Sequence, residues 1–138
     1  MARGSEAGLT PISVVVADAI IRVPPGTSVA DVARALTDAS VGLLVVGDGP
    51  DLIGVVSERD VVAALANGLD PSTTTAGEIA HADLVWCDLT ATVAEVAVEM
   101  MERYVRHVLV QDDGRLVGIV SARDVLGVYA AEEGAAGT

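Results

Sequence analysis

Apolar residues recur at Val29, Val32, Ala33 and Leu36, and again at Val93, Val96, Ala97, Met100 and Met101. That spacing draws one apolar stripe along each of two predicted helices. Each helix follows a short apolar run read as a strand, Ala19 to Val23 and Leu84 to Cys87. Each also opens on a side-chain acceptor with an acid three residues later, Ser28-x-x-Asp31 and Thr92-x-x-Glu95, which marks a helix start. Two strand-like runs come next. They are Leu43 to Val46 and Leu52 to Val56 in the first half, and Val108 to Val110 and Leu116 to Val120 in the second. The short Gly/Asp-bearing segments between them, Gly47 to Asp51 and Gln111 to Arg115, are hairpin connections. A last helix runs through Leu65 in one half and Tyr129 in the other.

The halves are one unit written twice. A shift of 64 positions aligns Ile20–Ala66 with Leu84–Ala130 without a gap, and 15 of the 47 pairs are identical. A unit this small is marginal on burial alone, so the two are expected to share one structure. The fold class read from the pattern is α/β (α+β): two β-α-β-β-α units packed face to face with pseudo-two-fold symmetry. The chain divides into a flexible N-terminus (1–9), a first copy (10–66), a linker (67–75), a second copy (76–131) and a flexible tail (132–138). A short helix is expected from Ala76 to Ala80. Its counterpart before the first copy is Thr10-Pro11-Ile12-Ser13, where Thr10 can cap and Pro11 can take the first helical position, although the valines that follow weaken the helical reading.

Composition narrows the function. The 20 acidic residues face eight basic ones, all Arg, for a net charge of −12. Such a chain repels phosphate backbones and anionic lipid at long range, so neither nucleic acid nor a membrane is an expected partner. The apolar runs are far shorter than the roughly 20 residues of a membrane span. With Cys87 as the one cysteine, no internal disulfide and no cysteine-based zinc cluster can form. We read a soluble cytoplasmic protein. Aromatic residues are scarce, with no Phe, one Trp and two Tyr, so the core has to be aliphatic.

The densest identity between the copies is GVVSERD at Gly54–Asp60 and GIVSARD at Gly118–Asp124. Each motif falls where a strand ends and a helix begins, and a helix start exposes four N–H groups without intrahelical partners. Local capping accounts for the Ser and the Asp, since Ser57 with Asp60, and Ser121 with Asp124, can form capping boxes. Capping does not account for Arg59 and Arg123. A cation in the first turn meets the positive end of the helix dipole, at a cost of about 0.3–1 kcal/mol when exposed. Its repetition calls for a nearby anion, either a carboxylate of the other copy or a bound phosphate. Gly54 and Gly118 fit either a strand bulge or a close approach of ligand to backbone.

The duplicated unit with Gly-h-h-Ser-x-x-Asp at this junction resembles a tandem pair of cystathionine-β-synthase (CBS) domains, the Bateman module. The likeness extends from about Thr10 to Tyr129. The stretches Gly68-Leu69-Asp70-Pro71 and Thr75-Ala76-Gly77-Glu78 are similar to small stand-alone actinobacterial members. The resemblance implies adenosine-containing ligands, AMP, ADP, ATP or S-adenosylmethionine, in two clefts between the repeats. It assigns ribose hydroxyls to Asp60 and Asp124, and ribose or phosphate to Ser57 and Ser121. It implies too that each cleft is built by both copies. Val16, Ala19, Ile21 and Val41 then belong with Ser121, Arg123 and Asp124. Ala80, Asp83, Val85 and Val105 belong with Ser57, Arg59 and Asp60. The second copy has Arg106-His107 where the first has Gly42-Leu43, which makes the Asp124 cleft the better phosphate site. Arg106 has a plainer reading as a solvated partner of Glu102, and His107 as a half-buried structural histidine.

No required cofactor is expected, and no enzyme. His81, His107 and Cys87 offer no triad, no Gly-rich loop carries a Lys, and the histidines and carboxylates lack metal-ligand spacing. Two functions remain: a ligand-sensing regulatory module that signals to a separate protein, or an interaction and assembly module with vestigial clefts. The Ala-rich final helices, Val61 to Ala66 and Val125 to Ala131, are expected to pair two copies into a homodimer.

Overall fold

The computed structural model describes residues 6–16, 20–47 and 52–136. The elements, in order, are a 3-10 turn at Ala7–Leu9, α1 (Ile12–Val15), β1 (Arg22–Val23), α2 (Val29–Ala39), β2 (Leu43–Val46), β3 (Gly54–Ser57), α3 (Glu58–Ala66), α4 (Ala76–Ile79), β4 (Trp86–Asp88), α5 (Val93–Arg103), β5 (His107–Asp112), β6 (Arg115–Ser121) and α6 (Ala122–Ala136). The repeat is therefore structural. Each copy yields strand, helix, strand, strand, helix, and each opens with a one-turn helix at the same offset, α1 and α4.

Two compact units result, one made of Ile20–Leu84, the other joining the N-terminal segment to the chain from Val85 onward. In the first, β1 runs parallel to β2, and β2 runs antiparallel to β3 in a register that pairs Leu43 with Ser57 and Val46 with Gly54. Val29, Val32 and Leu36 of α2 bury the expected stripe against Leu44, Val46 and Val56 of the sheet and Val61 of α3. Ala76 of α4 is fully buried in that same core. The second unit repeats the sheet with β4 parallel to β5 and β5 antiparallel to β6. Its core joins Val93, Val96 and Met100 of α5 to Val108, Val110, Val120 and Val125, with Ile12 of α1 fully buried among them.

Backbone hydrogen bonds tie the connecting segments to the units. Residues 67–75, expected as a linker, bond to the start of α2, with Val29 N–H donating to Thr74 O and Ala30 N–H to Pro71 O, both at 2.9 Å; just past them Ala76 N–H donates to Thr27 O at 2.7 Å. Buried Thr74 lies in this seam. Conversely, Thr10 and Ile12 bond to the second copy, Val93 N–H donating to Thr10 O and Ile12 N–H to Ala91 O. The free N–H groups at the starts of α2 and α5 supply the reason, since a neighbouring segment has to satisfy them.

Among the described residues, the stretches near both termini carry regular structure. The 3-10 turn with buried Ala7 lies within the N-terminal stretch expected to be flexible. In α6, which runs on to Ala136, Glu132 accepts from Glu6 N–H and Ala7 N–H at 3.1 and 2.9 Å, so an acid expected in a flexible tail caps the N-terminal turn. Near that turn, α1 does form, but Pro11 sits at its N-cap rather than its first position, and Thr10 makes no side-chain cap. No helix among the described residues is long and apolar enough to cross a membrane.

Candidate functional site

Both motifs form reciprocal capping boxes. At α3, Ser57 N–H donates to Asp60 Oδ2 at 2.7 Å, the Ser57 hydroxyl donates to the same oxygen at 2.9 Å, and Asp60 N–H donates back to Ser57 Oγ at 3.2 Å. At α6, Ser121 N–H donates to Asp124 Oδ2 at 2.9 Å and Asp124 N–H to Ser121 Oγ at 3.1 Å. The capping reading of Ser and Asp is therefore correct as local chemistry. It occupies one oxygen of each carboxylate. Oδ1 of Asp60 and of Asp124 has no donor among the described residues.

Gly118 borders a bulge, since Val110 pairs with Gly118 and Gln111 with Leu116 and Val117 is left between them, and both motif glycines are closely approached by other parts of the chain. A Cβ on Gly54 would stand 2.6 Å from His81 O and 3.3 Å from the Ala80 Cβ; on Gly118 it would run into the Val16 side chain. Val16 and Ala80 are equivalent residues, each just past a one-turn lead-in helix. The close approach that requires glycine is thus made by the chain itself.

Arg59, Arg106 and Arg123 are exposed and, among the described residues, enter no ion pair; the Arg106–Glu102 pairing is not formed. Backbone contacts hold Arg106 and His107 beside the second motif. Ala122 N–H donates to Arg106 O at 2.8 Å, and His107 stands opposite Ser121 in the β5–β6 ladder. The first copy makes the same contact with Glu58 N–H on Gly42 O, but offers no cationic side chain there. His107 is half-buried, as expected for a residue that starts an interior strand.

The first unit brings together Ser57, Asp60 and Ala80, with Ile21 and Val41 packed on its core and Asp83 exposed on the segment that leaves it. Ser121, Asp124 and Val16 gather in the second, with Val85 and Val105 on its core. Ala19 lies outside the described residues.

Sequence reading missed one partner. His81 Nε2 lies 3.2 Å from Asp60 Oδ2. Its backbone is fixed by a two-bond bridge, Val55 N–H to His81 O and His81 N–H to Val55 O, at 3.0 and 3.1 Å. The sequence carried no clear signal for it, because His81 lies ahead of the aligned stretch that begins at Leu84, and the residue 64 places earlier is Ala17. Among the described residues no group of three His, Cys, Asp or Glu side chains is placed to hold a metal ion.

The CBS domain family model matches the chain twice, over residues 13–67 and 76–131. The chain belongs to the CBS domain family. Hypoxic response protein 1 of Mycobacterium tuberculosis is 40% identical over 95 residues, which cover 67% of this chain and 66% of that protein. The chain thus matches just under two thirds of that curated relative. A crystal structure of hypoxic response protein 1 with two coordinated zinc ions is 33% identical, covers 86% of this chain and 98% of that one, and superposes with a TM-score of 0.71. A CBS domain protein from Pyrobaculum aerophilum, complexed with AMP, is 29% identical over 87% of this chain and 98% of that one, with a TM-score of 0.75. The mixed α/β architecture with two three-stranded sheets is that of these CBS-pair structures.

Proposed function

We propose that this CBS pair is a regulatory module, not an enzyme, that binds an adenosine-containing ligand in clefts to which both copies contribute, and that it passes the bound state to a separate partner protein. The observation that carries this reading is the condition of the motif aspartates. Each has Oδ2 fixed by its own helix cap and Oδ1 without a donor among the described residues. A carboxylate oriented in this way is a prepared acceptor for a ribose hydroxyl. The AMP held by the Pyrobaculum aerophilum relative supports the ligand class.

The better site is that of Asp124 and Ser121, with Arg123, Arg106 and His107 for a phosphate and Val16, Ala19, Ile21 and Val41 for the base. Its unpaired arginines and the α6 N-terminus form a local positive field in a chain of charge −12. That balance favours a monophosphate over a triphosphate. The second site takes Asp60, Ser57 and Arg59, with Ala80, Asp83, Val85 and Val105. ADP, ATP and S-adenosylmethionine are the competing ligands, and a cytoplasmic homodimer is part of the same reading.

Calorimetric titration with AMP, ATP and S-adenosylmethionine tests it. AMP is expected to bind more tightly than ATP, and Asp124→Ala to weaken it roughly ten- to hundredfold, the worth of a hydrogen bond to a charged group. No binding of any of the three at millimolar concentration would leave the assembly-module reading, for which the completed capping boxes already give the Ser and Asp a purpose.

A further inference from the structure

Asp60 and Asp124 are equivalent residues with unequal surroundings. Asp60 Oδ2 takes Ser57 N–H and the Ser57 hydroxyl and also lies 3.2 Å from His81 Nε2. Asp124 Oδ2 takes Ser121 N–H, and the residue at the repeat position of His81 is Ala17, which has no polar side chain. The imidazole is held in place through its backbone, by the bridge to Val55 and the close packing on Gly54. Its side chain is 45% exposed and that of Asp60 25%, so the pair remains within reach of solvent and of a solute.

The Ser57 N–H and hydroxyl already occupy both lone pairs of Oδ2, and His81 Nε2 stands 3.2 Å from the same oxygen, so a ribose diol that sought both oxygens of Asp60 would have to displace or share one of these neighbours. The Ser57 hydroxyl can rotate away at little cost. His81 resists displacement most when it carries a proton, because the contact is then an ion pair, and histidine is the side chain whose charge changes across the physiological range. The charged groups on the elements packed around it are Glu58, Arg59 and Asp60 on α3, Glu78 on α4 and Asp83 on its own segment, while β3 has none. Asp60 is the one it pairs with.

We infer that His81 is a specificity residue of the first site: it competes with ligand for Asp60, so that this site weakens as the imidazole takes up a proton while the Asp124 site lacks this response. The inference rests on the reading of Asp60 as a ribose acceptor. Because the pair is partly exposed, its effect on affinity is about two- to fivefold.

Two measurements test it. In the ligand-free chain, the His81 ring N–H signal in NMR is expected to exchange slowly, to lose that protection in Asp60→Ala and to keep it in Asp124→Ala, which removes the same cap from the other copy. Asp60→Asn, which retains an acceptor for the cap, replaces the alanine variant if that fails to fold. An unprotected signal in the parent chain, or protection unchanged by both Asp60 variants, overturns the inference without any ligand. Then, in Asp124→Ala, AMP is titrated at pH 8 and pH 6 with and without His81→Gln, a comparison that cancels the titration of the phosphate itself. Affinity is expected to fall about two- to fivefold more on acidification when His81 is present. An equal response, or tighter binding at pH 6 with His81 present, overturns it. Absence of AMP binding under every condition removes the ribose reading as well, and the ligand-free NMR result tells that failure apart from absence of the His81–Asp60 contact.

Discussion

His81 presents its carbonyl oxygen 2.6 Å from the point where a Cβ on Gly54 would stand. That oxygen is already bonded to Val55 N–H, and the carbonyl carbon is 3.0 Å from the same point, so backbone would have to move. Gly54→Ala is expected to cost about 1–3 kcal/mol in chemical denaturation, the usual range for overpacking. Gly118→Ala meets a side chain instead, that of Val16. Its cost should largely disappear in the Gly118→Ala, Val16→Ala double variant, whereas Ala80→Gly should not rescue Gly54→Ala. Rescue at both sites would show that neither glycine answers to a backbone approach.

Ser40 and Tyr104 end α2 and α5 in the left-handed conformation, each with φ of 55°, and they are equivalent positions of the repeat. A left-handed non-glycine residue costs roughly 1–2 kcal/mol, and glycine gives back about 0.5–1 through its greater freedom in the unfolded chain. Tyr104 is 95% exposed, so its side chain contributes almost no burial. Tyr104→Gly is therefore expected to raise stability by about 0.5–1 kcal/mol, and Ser40→Gly to do likewise. A loss of stability in Tyr104→Gly would contradict this account.

Periodicity and repetition made most of the fold legible. The stripes Val29–Leu36 and Val93–Met100 are buried as expected, whereas Met101, read as part of the second stripe, is 77% exposed; β2 falls on Leu43–Val46, and the capping boxes at Thr92 and Ser57 form. What stayed hidden was partnership at a distance. No local pattern says that Thr10 and Ile12 bond to the second copy, or that Thr74 serves the first, because those bonds are backbone to backbone and leave no residue signature. The motif glycines were legible as a demand for space but not for whose backbone needs it. His81 lies ahead of the aligned repeat and gave no such signal, because its place beside Asp60 depends on the bridge to Val55, which one sequence cannot display.

Val62 of α3 and Leu126 of α6 are equivalent residues, 64% and 66% exposed on the final helices, with Leu65 half-exposed beside the first. Leaving such side chains in water forfeits about 1.5–3 kcal/mol each relative to full burial. A homodimer through these helices is expected by sedimentation, with Leu126→Glu shifting it toward monomer without loss of helical content. A parent chain that sediments as a monomer at high concentration would contradict the pairing.

Cys87 lies on β4 against the second core, and its thiol is pushed from the ordinary 9.0 up to about 11 by burial first, then by Asp88 and Glu95. Two units upward leave about one hundredth of the usual thiolate at a given pH, and the thiolate is the reactive form. Alkylation by iodoacetamide at pH 8 is expected to run roughly a hundredfold slower than that of an unperturbed thiol. As the single cysteine, it can be followed without ambiguity. Asp88→Asn should speed the reaction, and a rate equal to that of a free thiol would contradict the assignment.

Glu95 accepts from Thr92 N–H at 2.9 Å and from the Thr92 hydroxyl at 3.0 Å, and these bonds hold its carboxyl below the ordinary glutamate value of 4.5, the backbone bond contributing most. Hydrogen bonds to the charged form lower a carboxyl pKa, so the folded state binds that proton less readily than the unfolded state. The sign follows: the contribution to stability is fully present above the unfolded value and is lost as pH falls through the lower folded value. Glu95→Ala is therefore expected to be less stable than the parent at neutral pH, and the gap should narrow as acid takes the pH below 4.5. Urea denaturation of both proteins across that range checks it. A gap that held constant or widened in acid would show that the Thr92–Glu95 box does not depend on the charge of Glu95.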